Sequence, residues 1–312
     1  MATPFVHDLR LEIGHVLGLP LYWYGAIYTV GFLGVFLWFS LRRRRLGWTA
    51  ADVMELSVLM AIGILLGGRI FDILVYELDY YQAHPLEALS WWGGGMASHG
   101  VMLGGTIGAF VFTRLRHKPF LVTADELTVP AAFLMGIGRI GNFIEGGVIG
   151  SVTTMPWGVI FPGVDGPRHP VALYDGGKNL LLVPMLILVL RRWPAGRGVA
   201  TGAFLFLYAA LRFLIDFFRD YEGGWLGIGQ GQYFNLIMAG IGLVVLVWSL
   251  WRKTEGAMTP VSPVPRRAPV WLTLLFVVLC LYPLGIPTSW TQVNIETIRA
   301  EEPAEAPTAP LP

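Results

Sequence analysis

Eight apolar runs of about 20 residues divide this chain, and that is the length a helix needs to cross the hydrocarbon core of a bilayer. They lie near 21–40, 54–76, 97–113, 121–143, 171–190, 198–218, 233–251 and 270–290. Composition agrees: 54% of the residues are hydrophobic and 14% charged, where a soluble domain carries about 25% charged residues. The expected fold is therefore all-α, a polytopic membrane helical bundle with seven core transmembrane helices plus an eighth C-terminal one. The third run is rich in glycine and the last contains Pro283 and Pro287, so these two are the weakest. The reading divides the chain into a membrane domain over 1–255, a Pro-rich cytoplasmic linker over 256–269, an extra transmembrane helix over 270–290 and an external tail over 291–312. The Pro, Ala and Glu content of that tail reads as disorder.

Basic residues set the orientation, because Lys and Arg accumulate in cytoplasmic loops. With the N-terminus outside, four loops become cytoplasmic. They hold Arg42 to Arg45, then Arg114, Arg116 and Lys118, then Arg191, Arg192 and Arg197, then Arg252, Lys253, Arg266 and Arg267. These fourteen are most of the 22 basic residues in the chain. The formal net charge of +1 gives no reason to expect nucleic-acid binding. The single Cys280 rules out an internal disulfide or a thiolate metal cluster. Residues 1–20 include His7, Asp8, Arg10 and Glu12, and do not read as a cleavable signal peptide.

The other basic residues are more informative. Arg10 and Arg299 lie in terminal segments, but Arg69, Arg139, Arg168, Lys178, Arg212 and Arg219 fall in the outer halves of spans or in outer loops. A charge near the bilayer centre costs at least about 2.5 kcal/mol on insertion scales, so these groups need carboxylate partners or an anionic ligand. Asp72, Glu77, Asp175 and Asp216 are available as structural partners for any one of them. For the set as a whole, gathered towards one leaflet, a site is the better reading.

Three stretches carry the candidate chemistry. In Gly138-Arg139-Ile140-Gly141-Asn142-Phe143, Arg139 and Asn142 are three residues apart and share one face of a helix that then runs into glycine-rich chain as far as Gly150. A guanidinium and an amide beside such a loop suit a phosphate-bearing lipid. In the sixth run Tyr208, Arg212, Asp216 and Arg219 form a polar stripe on an otherwise apolar helix. Its bland alternatives are an Arg212–Asp216 ion pair, Tyr208 as packing and Arg219 reaching for the interface. The third run opens with Trp91-Trp92-Gly93-Gly94-Gly95-Met96-Ala97-Ser98-His99-Gly100, where the tryptophans suit an interfacial belt and His99 follows about two turns deeper. A buried histidine is usually a satisfied hydrogen-bonding group, but an imidazole beside glycine also suits proton transfer near neutral pH. Tyr24 is most simply a belt aromatic.

Together these blocks resemble the bacterial prolipoprotein diacylglyceryl transferases. So do Trp23-Tyr24-Gly25, Gly67-Gly68-Arg69, Pro156-Trp157 with Phe161-Pro162, and Pro167-Arg168-His169-Pro170 leading to Leu173-Tyr174. The blocks occur in family order from about 20 to 253. The resemblance implies an enzyme of the bacterial cytoplasmic (inner) membrane that moves the diacylglyceryl group of phosphatidylglycerol onto the lipobox cysteine of a prolipoprotein signal peptide. A thioether forms and glycerol phosphate leaves. The resemblance makes His99, Arg139 and Arg212 the catalytic set, with His99 as general base; an arginine-stabilised thiolate is the competing account. It assigns head-group and lipobox binding to Arg139, Asn142, Tyr24, Gly150, Tyr208, Arg219 and Asp216. No cofactor and no metal is implied, and the other partner is membrane lipid.

The chain departs from the family pattern in several places. Ile144-Glu145-Gly146-Gly147 stands where Ile-Asn-Gly-Glu is usual, and Val101 stands where a second glycine follows the histidine. Asp175 and Asp216 replace glutamates, Asp72 replaces an aromatic residue, and Tyr22 stands where a basic residue often precedes Trp23. Two other functions fit the residues: a diverged protein that binds phospholipid or lipoprotein precursors without turnover, and a small-anion transporter.

Overall fold

The computed structural model describes residues 4–90, 94–219, 230–252 and 266–287. Trp91 and Trp92, residues 256–265 of the linker, and the tail 291–312 lie outside the described residues. The fold is nearly all-α. Its helices are α1 Trp23–Leu46, α2 Ala50–Phe71, α3 Leu78–Ala83, α4 Ser98–Leu115, α5 Phe120–Ile144, α6 Val171–Arg192, α7 Val199–Ile215, α8 Gln230–Trp251 and α9 Val270–Leu281. Six of them are long and apolar enough to cross a membrane: α1, α2 with the turn that follows it, and α5 to α8. This is a multi-pass membrane protein.

The two weak runs are the two short helices. The 18 residues of α4 reach about 27 Å, just under a hydrocarbon core of about 30 Å. The 12 residues of α9 reach about 18 Å before a 3-10 turn, Tyr282–Gly285, replaces the helix at the first proline. The expected span 270–290 is thus shorter as regular helix. It packs against α1 and α2, where Leu272, Phe276, Cys280 and Ile286 join Tyr28, Phe32, Val58, Ile64 and Leu65 in one buried cluster. Thr29 Oγ1 donates to the Cys280 carbonyl at 2.5 Å.

Two small sheets lie outside the spans and were not visible as periodicity. β1 (Phe5–Val6) pairs in parallel with β4 (Val159–Ile160), and β2 (Glu12–Val16) forms an antiparallel hairpin with β3 (Leu19–Tyr22). His7 is buried beside the first sheet, with Nε2 2.6 Å from the Phe143 carbonyl and its ring stacked on Phe161. The N-terminal segment is therefore fastened to the end of α5 that carries Arg139 and Asn142.

The opposite end of the bundle gathers the four basic loops. Arg42 on α1 grips the buried Glu126 on α5, with Nη2 donating at 2.7 Å. Arg116 is paired with Glu55, Lys118 lies 3.3 Å from Asp52, and Arg266 lies 3.8 Å from Glu55. Arg197 donates to the Arg252 carbonyl at 3.3 Å. At this same end the buried Asp125 of α5 organises the start of α7. Its Oδ2 accepts from Gly196 N and Gly198 N, each at 2.8 Å, and its Oδ1 accepts from Thr201 N and Oγ1 at 2.9 and 2.7 Å. Removing the carboxylate strands several buried donors, each costing about 1–3 kcal/mol. Asp125→Ala is expected to lose about 3 kcal/mol or more of stability, read as a lower unfolding temperature in detergent, while Asp125→Asn loses less.

Candidate functional site

Arg139 lies five residues from the end of α5, and its guanidinium meets the neighbouring helix α6 because the two backbones approach closely. A Cβ at Gly176 would lie 3.1 Å from the Gly136 carbonyl oxygen and 3.2 Å from Arg139 Cβ, so the pairing of α5 with α6 uses a glycine on each side. The next residue back on α6 is Asp175, which is fully buried.

Asp175 is the centre of the site. Its Oδ2 lies 2.6 Å from Arg139 Nε and accepts from Arg212 Nη1 at 2.8 Å, so cations from α5 and α7 meet on one oxygen. Its Oδ1 faces Lys178 Nζ at 3.1 Å. Lys178 is itself buried; it donates to Asn179 Oδ1 at 2.7 Å and sits 3.8 Å from the centre of the Tyr208 ring. Arg212 also pairs with the residue that caps its helix, Nη2 to Asp216 Oδ1 at 3.0 Å, and Asp216 Oδ2 accepts from Asn235 of α8 at 2.8 Å. Arg219 approaches Asp216 Oδ1 at 3.9 Å. On the α5 side, Arg139 Nη1 donates to Asn142 Oδ1 at 3.1 Å, and Asn142 Nδ2 reaches Glu145 Oε2 at 3.4 Å.

Of the residues singled out in the sequence, Arg139, Asn142, Tyr208, Arg212, Asp216 and Arg219 thus fall in one connected cluster. The Arg212–Asp216 pair is present, and it does not compete with the cluster, because Arg212 presents its other terminal nitrogen to Asp175. Gly150 belongs to the wall. It forms an antiparallel bridge with Arg219, and its N–H donates to the His169 carbonyl at 3.1 Å. A Cβ there would lie 2.7 Å from the Phe218 carbonyl oxygen and 2.5 Å from that of His169, so only glycine lets the loop close on the end of α7. Tyr24 is buried on α1, its hydroxyl 3.2 Å from that of Tyr28, and a Cβ on Gly141 would be 3.7 Å from its ring.

His99 is placed differently. It is exposed in the first turn of α4, with Nδ1 2.9 Å from the Tyr76 hydroxyl and its ring stacked on Phe71 at 5.9 Å. No hydrogen bond or ion pair among the described residues joins it to Arg139, Asp175 or Arg212. Tyr76 ends a π-turn, Asp72–Tyr76, that widens the last turn after α2. The site is therefore two groups, the cationic cluster and the His99–Tyr76 pair.

Two of the outlying arginines have structural uses. Arg69 donates to the carbonyls of Glu87, Ala88, Ser90 and Gly94 at 2.7–3.2 Å and lies over the Tyr81 ring, tying down the chain between α3 and α4. Burial pushes the Tyr81 phenol above its usual range, and the neighbouring Arg69 opposes that shift. Arg168 donates to the Asp165 carbonyl at 3.1 Å and bridges to Val152 and Val159. Of the six outer cations, the contacts among the described residues join four in the cluster: Arg139, Lys178, Arg212 and Arg219. Asn235 had no signal in the sequence, being one amide in an apolar run. Lys178 did have one, since it stands three residues after Asp175 on the same face.

The fold and the cluster define a multi-pass membrane protein in which arginines from two helices, α5 and α7, meet on one buried carboxylate. The family model for prolipoprotein diacylglyceryl transferase matches residues 12–248, and the chain belongs to that family. It is 38% identical over 257 residues to a protein of Cupriavidus metallidurans, covering 78% of this chain and 94% of the relative. It is 38% identical over 263 residues to one of Geobacter sulfurreducens, covering 79% and 97%. A Legionella pneumophila relative is 34% identical over 263 residues, covering 81% and 99%. All three are named phosphatidylglycerol–prolipoprotein diacylglyceryl transferase.

Proposed function

We propose that this protein is a transferase that moves the diacylglyceryl group of phosphatidylglycerol to the lipobox cysteine of a prolipoprotein signal peptide. The observation that carries this reading is the meeting of Arg139 and Arg212 on Asp175, in a chain of this family. In the reaction the peptide thiol sulfur attacks the glyceryl carbon bound to the phosphate. An S–C bond forms, the C–O bond to phosphate breaks, and glycerol phosphate leaves with one more negative charge than the diester carried; the thiol proton passes to a base. Charge on phosphate therefore grows along the reaction coordinate, and donors fixed around it act more strongly in the transition state than on bound lipid. Arg139 and Arg212 are assigned to that phosphate, as guanidinium forks suit its oxygens. Asn142, Tyr208, Asp216 and Arg219 hold those arginines in place, and Tyr24 and Gly150 shape the surroundings.

The site lies at the end of the bundle away from the basic loops. That supports an external N-terminus, a site open to the outer leaflet, and residence in the bacterial inner membrane, where Lys and Arg favour the cytoplasmic side. His99 is assigned as the base that takes the thiol proton. A thiol of pKa about 8.5 is only about 3% thiolate at pH 7. His99→Ala is therefore expected to slow transfer about thirtyfold at pH 7, and the deficit is expected to shrink as pH approaches 8.5. A deficit that stayed constant across that range would remove the assignment. The function itself is tested by incubating purified protein with phosphatidylglycerol and a lipobox peptide. Glycerol phosphate release that requires the cysteine is expected; lipid binding without release would identify a non-catalytic binder.

A further inference from the structure

The cluster contains a cation that the phosphate-binding role does not use. Lys178 is 7% exposed, lies one turn after Asp175 on α6, and contacts that carboxylate on the oxygen opposite the two arginines. Its other neighbours are the Asn179 amide oxygen and the face of Tyr208. It is enclosed by the protein, and an ammonium placed there carries a desolvation cost that only its partners offset.

The charges explain its use. Among the described residues, Arg139, Lys178, Arg212 and Arg219 stand against Asp175, Asp216 and Glu145, a net +1. Without Lys178 the same groups sum to zero. Asp175 would then answer to Arg139 and Arg212 alone, and a lipid phosphate would have to compete with it for both. With Lys178 in place, the second oxygen of the carboxylate faces a cation on its own helix, three residues away and at 3.1 Å. We infer that Lys178 is a positioning residue for the proposed transfer: it holds Asp175 as its counter-ion, so that Arg139 and Arg212 remain available to the phosphate of an anionic glycerophospholipid.

This inference rests on the transferase reading, so the parent protein is assayed first. A parent without glycerol phosphate release sinks that reading, whatever Lys178 does. With an active parent, Lys178→Met is expected to raise the KM for phosphatidylglycerol in mixed micelles about tenfold. The KM for the lipobox peptide and the unfolding temperature are expected to stay near parent values. The double variant Lys178→Met with Asp175→Asn restores the net +1, and its lipid KM is expected to move back towards the parent. An unchanged lipid KM in Lys178→Met would overturn the inference. So would a fall in unfolding temperature with both KM values rising together, since that marks a packing role. Strictly additive losses in the double variant would overturn it too, because two groups that act through each other do not add.

Discussion

Arg139→Ala is expected to lower transfer to roughly a hundredth or a thousandth of the parent rate while leaving the bundle folded. The size follows from what the guanidinium does at once. Its Nε lies 2.6 Å from Asp175 and its Nη1 donates to Asn142 at 3.1 Å, so it enters the reaction already oriented and needs no reorganisation. Loss of one such preorganised donor costs about 2.7–4 kcal/mol in the transition state, or about 10²–10³ in rate. The fold is expected to survive because Asp175 keeps Arg212 at 2.8 Å and Lys178 at 3.1 Å, so no buried carboxylate is left without a cation. Arg139→Lys keeps the charge but loses the fork that reaches Asp175 and Asn142 together, and is expected to recover only part of the rate. The measurement is glycerol phosphate release from phosphatidylglycerol with a lipobox peptide, beside the unfolding temperature of each variant. A rate for Arg139→Ala within threefold of the parent, at equal folding, would detach the cluster from the chemistry.

How much of this was legible in the sequence depended on the kind of signal. Helical spans announce themselves because lipid admits few alternatives to long apolar helices. That logic located α1, α2 and α5 to α8, and it weakened where Gly or Pro shortened the helix, at α4 and α9. The β1–β4 pairing was invisible, because two residues near the N-terminus and two after α5 make no periodic pattern and only the tertiary fold brings them together. In the site, Arg212 and Asp216 could be paired by spacing alone, since they stand four residues apart where α7 runs into a 3-10 turn. The meeting of Arg139 with Arg212 could be suspected from the cost of a buried cation, but the sequence does not say that Asp175 on a third helix joins them. Arg69 looked like the others for the same reason of cost. Its partners are backbone carbonyls, which carry no side-chain identity to read. His99 was placed at the right end of its helix, while its hydrogen bond to Tyr76 depends on the π-turn after α2, a feature without a sequence rule.

The largest structural loss is expected from Gly104→Leu, because α4 and α2 meet backbone to backbone. Gly100, Gly104 and Gly108 recur every fourth residue on α4 and face Gly63, Gly67 and Leu59–Met60 on α2. A Cβ at Gly104 would enter the Gly63 carbonyl and stand 2.7 Å from its carbon and 3.1 Å from Gly67 Cα. Those are main-chain atoms of a helix and cannot turn aside as a side-chain tip can. The helices must therefore separate along their whole contact. In a bilayer no hydrophobic gain opposes that separation, since association there rests on close packing. Overpacking costs about 1–3 kcal/mol, and more where backbone must move; about 3 kcal/mol corresponds to a fall of roughly 6–12 °C in a protein this size. Gly240→Ala on α8, where a Cβ meets nothing within 4 Å, is the matched control and is expected to be neutral or slightly stabilising. The damage is expected to reach the chemistry as well. His99 rides on α4 and Tyr76 on the turn after α2, so their 2.9 Å bond spans the interface that opens. Transfer is then expected to fall even at temperatures where Gly104→Leu is still folded. Equal unfolding temperatures for Gly104→Leu and Gly240→Ala would mean that the glycine seam does not hold these helices together.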